Sequence, residues 1–217
     1  PLFHLVMDKK LEQLIERFRY IQSCVTDKEA MVWESVRLSE DQIENAFSTQ
    51  NQRTLHQIQD FLASLDNGLF EDEPVHQYNY VSQLLYEFGY YCSPPSVQSL
   101  RSSDVIEWKE GRENGNWRSS LHAPHLYQRF GSLKFLLLKT RSVPLQLSAV
   151  TVISACCNAA IRILKCFLAN VNHITPTESL FLGDILQSIT FLLLKPIVDV
   201  LTEECYGVIQ RGYSEII

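Results

Sequence analysis

Apolar residues recur at alternating intervals of three and four along most of this chain, a spacing that commits it to helices packed through one face. The pattern opens with Leu11, Leu14, Phe18, Ile21 and Val25, while Lys10, Glu12, Glu16 and Arg17 fall on the other side. It predicts a first helix over residues 5–25 whose stripe also matches a short coiled-coil seam. Eight Gly and eight Pro in 217 residues are too few for an all-β chain with a turn every 8–12 residues.

Further elements follow from local signals. Asp27 is expected to cap a short helix with Val32, Trp33 and Val36 inward. Ser39 and Gln42 have capping-box spacing. A long helix should follow, carrying Ile43, Phe47, Leu55, Ile58, Leu62 and Leu65, with a slip at Gln50-Asn51-Gln52 and an end at Asn67-Gly68. Residues 69–74 (Leu-Phe-Glu-Asp-Glu-Pro) read as an acidic linker. Pro74 suits the first turn of a helix bearing Tyr78, Val81, Leu85 and Phe88, which must stop before Pro94-Pro95. A shorter helix is expected over 97–109, and the polar, Gly-containing stretch 110–120 reads as an exposed loop. Leu126, Phe130, Leu133 and Leu137 predict a helix over 124–140. Residues 144–171 are apolar on nearly every face, as in a helix at the centre of a bundle. Thr175-Pro176-Thr177-Glu178 marks another helix start, running to Lys195, with a kink at Pro196 and a last helix to about Gln210.

The expected fold is all-α: an irregular helical bundle or a degenerate, α-solenoid-like helical-repeat array of about eight to nine helices, with no strand. The expected division is an amphipathic region over 1–68, the linker at 69–74 and a more hydrophobic helical region over 75–217. The start of the sequence, Pro-Leu-Phe-His, has neither an initiator Met nor a basic leader, so a fragment of a longer chain is expected.

Charge and cysteine usage narrow the function classes. The net charge is −6, but residues 1–107 hold 17 acids and 8 bases while residues 108–217 hold 8 acids and 11 bases. Between Lys109 and Arg141, seven bases face two acids. The six cysteines are irregularly spaced, several inside apolar runs such as Ser-Ala-Cys156-Cys157-Asn, which suits buried thiols in a reducing compartment. The uncharged run 142–161 contains Pro144, Gln146, Ser148, Thr151, Ser154 and Asn158, so a buried helix is expected there rather than a membrane span.

Motifs for chemistry are sparse. His122 and His125 form the one close histidine pair, without further zinc ligands at short spacing. Asp199 and Glu203 have i, i+4 spacing but lack the Glu-x-x-His partner of a helical metal site. There is no phosphate-binding glycine loop, nucleophile elbow or His-Glu-x-x-His helix. No enzyme activity, cofactor or metal is expected. The expected role is a non-enzymatic scaffold or adaptor that mediates protein–protein interaction within a larger intracellular complex, cytoplasmic or nuclear, through Leu11, Leu14, Phe18, Ile21 and Trp33. The alternative is nucleic-acid binding through the basic stretch 109–141, using Arg112, Trp117, Arg118, Arg129 and Lys134.

Overall fold

The computed structural model describes residues 2–100, 105–107, 120–143 and 145–214. Helices dominate: α1 (Leu2–Thr26), α2 (Glu40–Asn45), α3 (Gln52–Ser64), α4 (Pro74–Cys92), α5 (Pro95–Leu100), α6 (Ala149–Asn170), α7 (Pro176–Ile189) and α8 (Lys195–Ser214). A small sheet lies between α5 and α6, formed by β1 (Val105–Glu107), β2 (Leu126–Arg129) and β3 (Ser132–Lys134) in the order β1-β2-β3.

The apolar run predicted as a central helix is α6, and it is packed along much of its length by α1. The two helices run antiparallel. Gln22 Nε2 donates to Ser154 Oγ at 3.2 Å near one end, and His4 Nδ1 lies 3.0 Å from the Val171 carbonyl oxygen at the other. Leu11, Phe18 and Ile21 meet Val152, Ile153, Cys156, Ala160 and Leu164 in a core that extends from Met7 to Cys205 and includes Leu69 of the acidic linker. The α6 N-terminus is held twice. Ser148 accepts from Thr151 N, and the Glu44 carboxylate of α2 accepts from Ala149 N at 2.9 Å and Val150 N at 3.3 Å. A carboxylate there meets both the unpaired helical N–H groups and the positive end of the helix dipole.

Both predicted capping boxes form, at Ser39 with Gln42 and at Thr175 with Glu178. α4 packs beside α7, and a Cβ on Gly89 would stand 3.3 Å from Cδ1 of Leu192, just beyond the end of α7. The slip predicted at Gln50-Asn51-Gln52 is a π-helical turn over Ala46–Gln50, followed by Asn51 off the helical conformation at φ −123°. A second π turn, Thr190–Leu194, joins α7 to α8 just before Pro196. Proline has no N–H to give the Leu192 carbonyl, and the wider turn accommodates that loss without breaking the helix.

Four expected elements are different in the structure. Residues 124–140 form no helix. β2 and β3 are a hairpin, with Tyr127 opposite Lys134 and Arg129 opposite Ser132, and β1 pairs with β2 in parallel. Phe130 and Gly131 at the turn have φ of 52° and 73°, both left-handed as a two-residue hairpin turn of type I′ requires. The helical spacing of Leu126, Phe130, Leu133 and Leu137 is therefore not realised: Leu126 is buried, while Phe130 is 89% exposed. The segment after Asp27 is a turn closed by a Val32–Val36 bridge, since Trp33 and Glu34 have φ of 54° and 55°, outside the right-handed helix. Asp27 Oδ1 accepts from Glu29 N in that turn. α3 ends at Ser64 rather than at Asn67-Gly68, and Asp66 starts a 3₁₀ turn over Asn67–Glu71. Of the helix expected over 97–109, residues 97–100 belong to α5, Val105–Glu107 is strand, and the others lie outside the described residues.

Candidate functional site

Two surfaces stand out. The first is on α8. Thr202, Tyr206, Ile209 and Tyr213 follow one another at intervals of four, three and four, so they share a face. Tyr206 is 64% exposed, Tyr213 is 68% exposed and Ile209 is partly so. Trp33 joins this face through its indole Nε1, which donates to Thr202 Oγ1 at 3.1 Å. The Trp33 turn is anchored from behind by Tyr20. The Tyr20 hydroxyl accepts from Trp33 N at 2.6 Å and donates to the Met31 carbonyl at 3.1 Å, and the Tyr20 and Trp33 rings lie 5.7 Å apart. Met31 and Trp33 each keep about two-fifths of their surface in solvent, Trp33 being 39% exposed.

Of the residues predicted to bind a partner, only Trp33 has this exposure. Leu11, Leu14, Phe18 and Ile21 are buried, three of them almost completely, against the protein's own core. The same 3–4 spacing serves an internal seam and an external one, so the pattern alone could not separate them. Tyr206 and Tyr213 carry no sequence signal of their own, because the spacing of a helix does not show which of its faces its own chain leaves uncovered.

The second surface is a row of polar side chains that sequence reasoning did not find. Gln59, Asp60 and Ser64 on α3, with Asn79, Gln83 and Glu87 on α4, are all buried. Each bonds to the main chain of residues 120–145. Asn79 donates to Ser120 O at 2.7 Å and accepts from His122 N at 2.9 Å. Gln83 bonds both main-chain groups of His125, at 2.7 and 3.0 Å. The Glu87 carboxylate accepts from Leu136 N, Leu137 N and Leu138 N at 2.8, 3.0 and 2.8 Å, and from Gln83 Nε2 at 2.8 Å. Ser64 Oγ accepts from Lys139 N at 2.7 Å, and Asp60 accepts from Arg141 N at 3.2 Å and from the Tyr91 hydroxyl at 3.0 Å. Gln59 bonds both main-chain groups of Leu145, each at 3.0 Å. The signal was present as Asn79, Gln83 and Glu87 at intervals of four, interleaved with the apolar stripe of the same helix.

Of the predicted nucleic-acid residues, Arg112, Trp117 and Arg118 lie outside the described residues. Arg129 and Lys134 are both on the hairpin, and the Arg129 guanidinium sits 5.3 Å from the centre of the Phe130 ring. His122 and His125 lie in the irregular segment that leads into β2, not at a helix start. Among the described residues no group of three His, Cys, Asp or Glu side chains is placed to hold a metal. The six cysteines are free, and burial raises their thiol pKa values: Cys92 and Cys157 to about 12 and Cys205 to about 11. A thiol held neutral in this way is a poor nucleophile. A shallow, open depression on the outer face of α1 is lined by Lys9, Glu12, Gln13, Glu16 and Arg17, with Arg19 paired to Glu16 nearby.

Two helical stretches, Ala149–His173 and Pro176–Ser214, are long and apolar enough to cross a membrane, and about half of each apolar window is buried inside the fold. No family profile, curated protein or solved structure matches this chain.

Proposed function

We propose that this protein is a non-enzymatic helical scaffold or adaptor, and that the face formed by Trp33, Tyr206, Ile209 and Tyr213 seats an amphipathic helix of a protein partner. The observation that carries this reading is the 3-4 spacing of the exposed Tyr206, Ile209 and Tyr213 on α8, continued through Thr202 by the exposed indole of Trp33. A straight stripe of that kind has the form of one half of a helix–helix seam. Tyrosine and tryptophan are also the residues that anchor protein interfaces, since each offers a large apolar surface and one polar atom.

Six free cysteines, most of them buried, suit a reducing intracellular compartment, cytoplasmic or nuclear. Burial of α6 by α1, and the bonds from Glu44 to its first amides, support a soluble core helix rather than a membrane span. The stacked packing of α1, α3 and α4 on α6 is compatible with either a bundle or a degenerate repeat array.

The test is affinity capture with the whole chain, comparing wild type with the double variant Tyr206→Asp/Tyr213→Asp. Both side chains are exposed, so the variant is expected to fold, as circular dichroism would verify. A stoichiometric partner present with wild type and lost with the folded variant supports the reading. A partner retained by the variant removes the α8 face from it.

A second reading rests on the hairpin. Phe130 projects from its tip with Arg129 against the ring, and Lys134 is on the returning strand. A cation beside an exposed aromatic suits stacking on a nucleic-acid base with a phosphate contact alongside. Binding of single-stranded nucleic acid that weakens with salt, and weakens further in Arg129→Glu, would favour it. Absent or salt-independent binding would not.

A further inference from the structure

We infer that Tyr206 is a phosphorylation site for a protein-tyrosine kinase, carried on a helix end that opens to present it, and that the phosphate then unwinds the last turns of α8.

Access and charge single it out. All nine tyrosines of the chain are among the described residues, and Tyr206 and Tyr213 are the exposed ones, at 64% and 68%. The other seven are buried or half-buried. The two exposed tyrosines differ in what precedes them. Glu203 and Glu204 stand three and two residues before Tyr206, whereas Gln210, Arg211 and Gly212 precede Tyr213. Acids ahead of the acceptor let a basic substrate cleft hold it by charge. Tyr206 therefore combines exposure with an acidic approach, and Tyr213 has the exposure alone.

A kinase cleft takes its substrate as an extended chain, so the helix must open at Tyr206. Little holds it closed. Cys205 is the last buried residue of α8, and from Tyr206 to Ser214 only Gly207 and Val208 are even partly covered. Gly207 and Gly212 are poor helix formers, and Val208 and Ile209 are branched at Cβ. A short stretch of that composition, without packing, is marginal as a helix. The Arg211 guanidinium reaches back past Gly207 to the Glu204 carboxylate at 2.7 Å, and an exposed pair of this kind is a weak clasp.

The co-substrate is magnesium-bound ATP. The phenolic oxygen of Tyr206 attacks the γ-phosphorus, the bond to the β,γ-bridging oxygen breaks, ADP leaves, and the phenolic proton passes to a carboxylate of the kinase. The product carries about two negative charges at neutral pH. They lie one helical turn from Glu203 and close to the negative end of the α8 dipole, and both relationships disfavour the helix. The same charge interrupts the apolar stripe of Tyr206, Ile209 and Tyr213. That consequence for a docked helix rests on the function proposed above, whereas the modification itself does not.

The test has two arms on the whole chain. In the first, the protein is purified from cells that express it, after orthovanadate has blocked their tyrosine phosphatases, and its phosphotyrosines are mapped by mass spectrometry. In the second, purified wild type and Glu203→Gln/Glu204→Gln, with folding checked by circular dichroism, are incubated with ATP and the catalytic domain of a tyrosine kinase that prefers acidic residues before its tyrosine. Amide exchange over residues 207–214 is compared before and after. Phosphate is expected on Tyr206 in the cellular protein. In the purified system, incorporation at Tyr206 should be roughly tenfold faster than at Tyr213 and should fall roughly tenfold in the glutamine variant. Exchange over 207–214 should quicken once the phosphate is on. Tyr206 unmodified in cells, or modified no faster than Tyr213 or regardless of the two glutamates, overturns the site. Exchange that stays the same after phosphorylation overturns the unwinding.

Discussion

The carboxylate of Glu87 accepts a hydrogen bond from the Leu138 main-chain N–H at 2.8 Å, 51 residues along the chain, and takes the N–H groups of Leu136 and Leu137 as well. This one side chain satisfies three consecutive donors that a helix over 124–140 would have paired with its own carbonyls. It is fully buried, and four hydrogen bonds, one from the Gln83 amide and three from main-chain N–H groups, stabilise its charge.

Glu87→Gln keeps the size of the side chain but turns one acceptor oxygen into a donor, facing N–H groups that already donate. At least one buried donor then loses its partner, at a cost of about 2 kcal/mol. Thermal or urea unfolding of the variant should show that loss, while Glu16→Gln on the exposed face of α1 should stay within about 0.5 kcal/mol of wild type.

Two glycines separate backbone strain from helix propensity. Gly131 has φ of 73° with nothing near its missing Cβ, so Gly131→Ala should cost about 1 kcal/mol through the left-handed conformation alone. Gly183 lies inside α7, again with nothing within 4 Å, and Gly183→Ala should stabilise by about 1 kcal/mol. Equal effects of the two substitutions on urea unfolding would contradict the assigned turn.

Stability should fall in alkali. Burial raises Cys92 and Cys157 from 9.0 to about 12, and Tyr78 and Tyr80 from 10.0 to about 12. Each group is neutral in the folded protein and ionises more readily once unfolded. Its contribution is therefore complete below about pH 9 for the thiols and about pH 10 for the phenols, and is lost as pH rises towards 12. Urea midpoints measured from pH 8 to pH 11 should decline progressively above pH 9. A flat profile would mean that these groups are not buried as described.

The helical part of this fold was legible because it rests on signals that are local. The Ser39 and Thr175 capping boxes, the all-round apolarity of α6 and the disturbance before Pro196 all lie within a few residues of what they determine. The hairpin was not legible for the converse reason. Nothing near Leu136 to Leu138 shows that Glu87 will take their N–H groups, and the spacing of Leu126, Phe130, Leu133 and Leu137 imitates a helix. At the candidate site, Trp33 was expected to face inward on a short helix, but its left-handed backbone places it in a turn with the indole partly exposed. The α1 stripe was misplaced because an amphipathic face does not say whether its own chain or another covers it.

The proposed docking of a partner helix on the α8 face is tested by site-specific photo-crosslinking in cells that express this protein. A benzophenone side chain is placed at Tyr206 and, in a separate variant, at Gln13 on the outer face of α1. The expected result is one cross-linked polypeptide from position 206, absent from position 13, with the attachment mapping to an amphipathic helix of that polypeptide. Cross-links that are absent from position 206, or equal from both positions, would contradict the account.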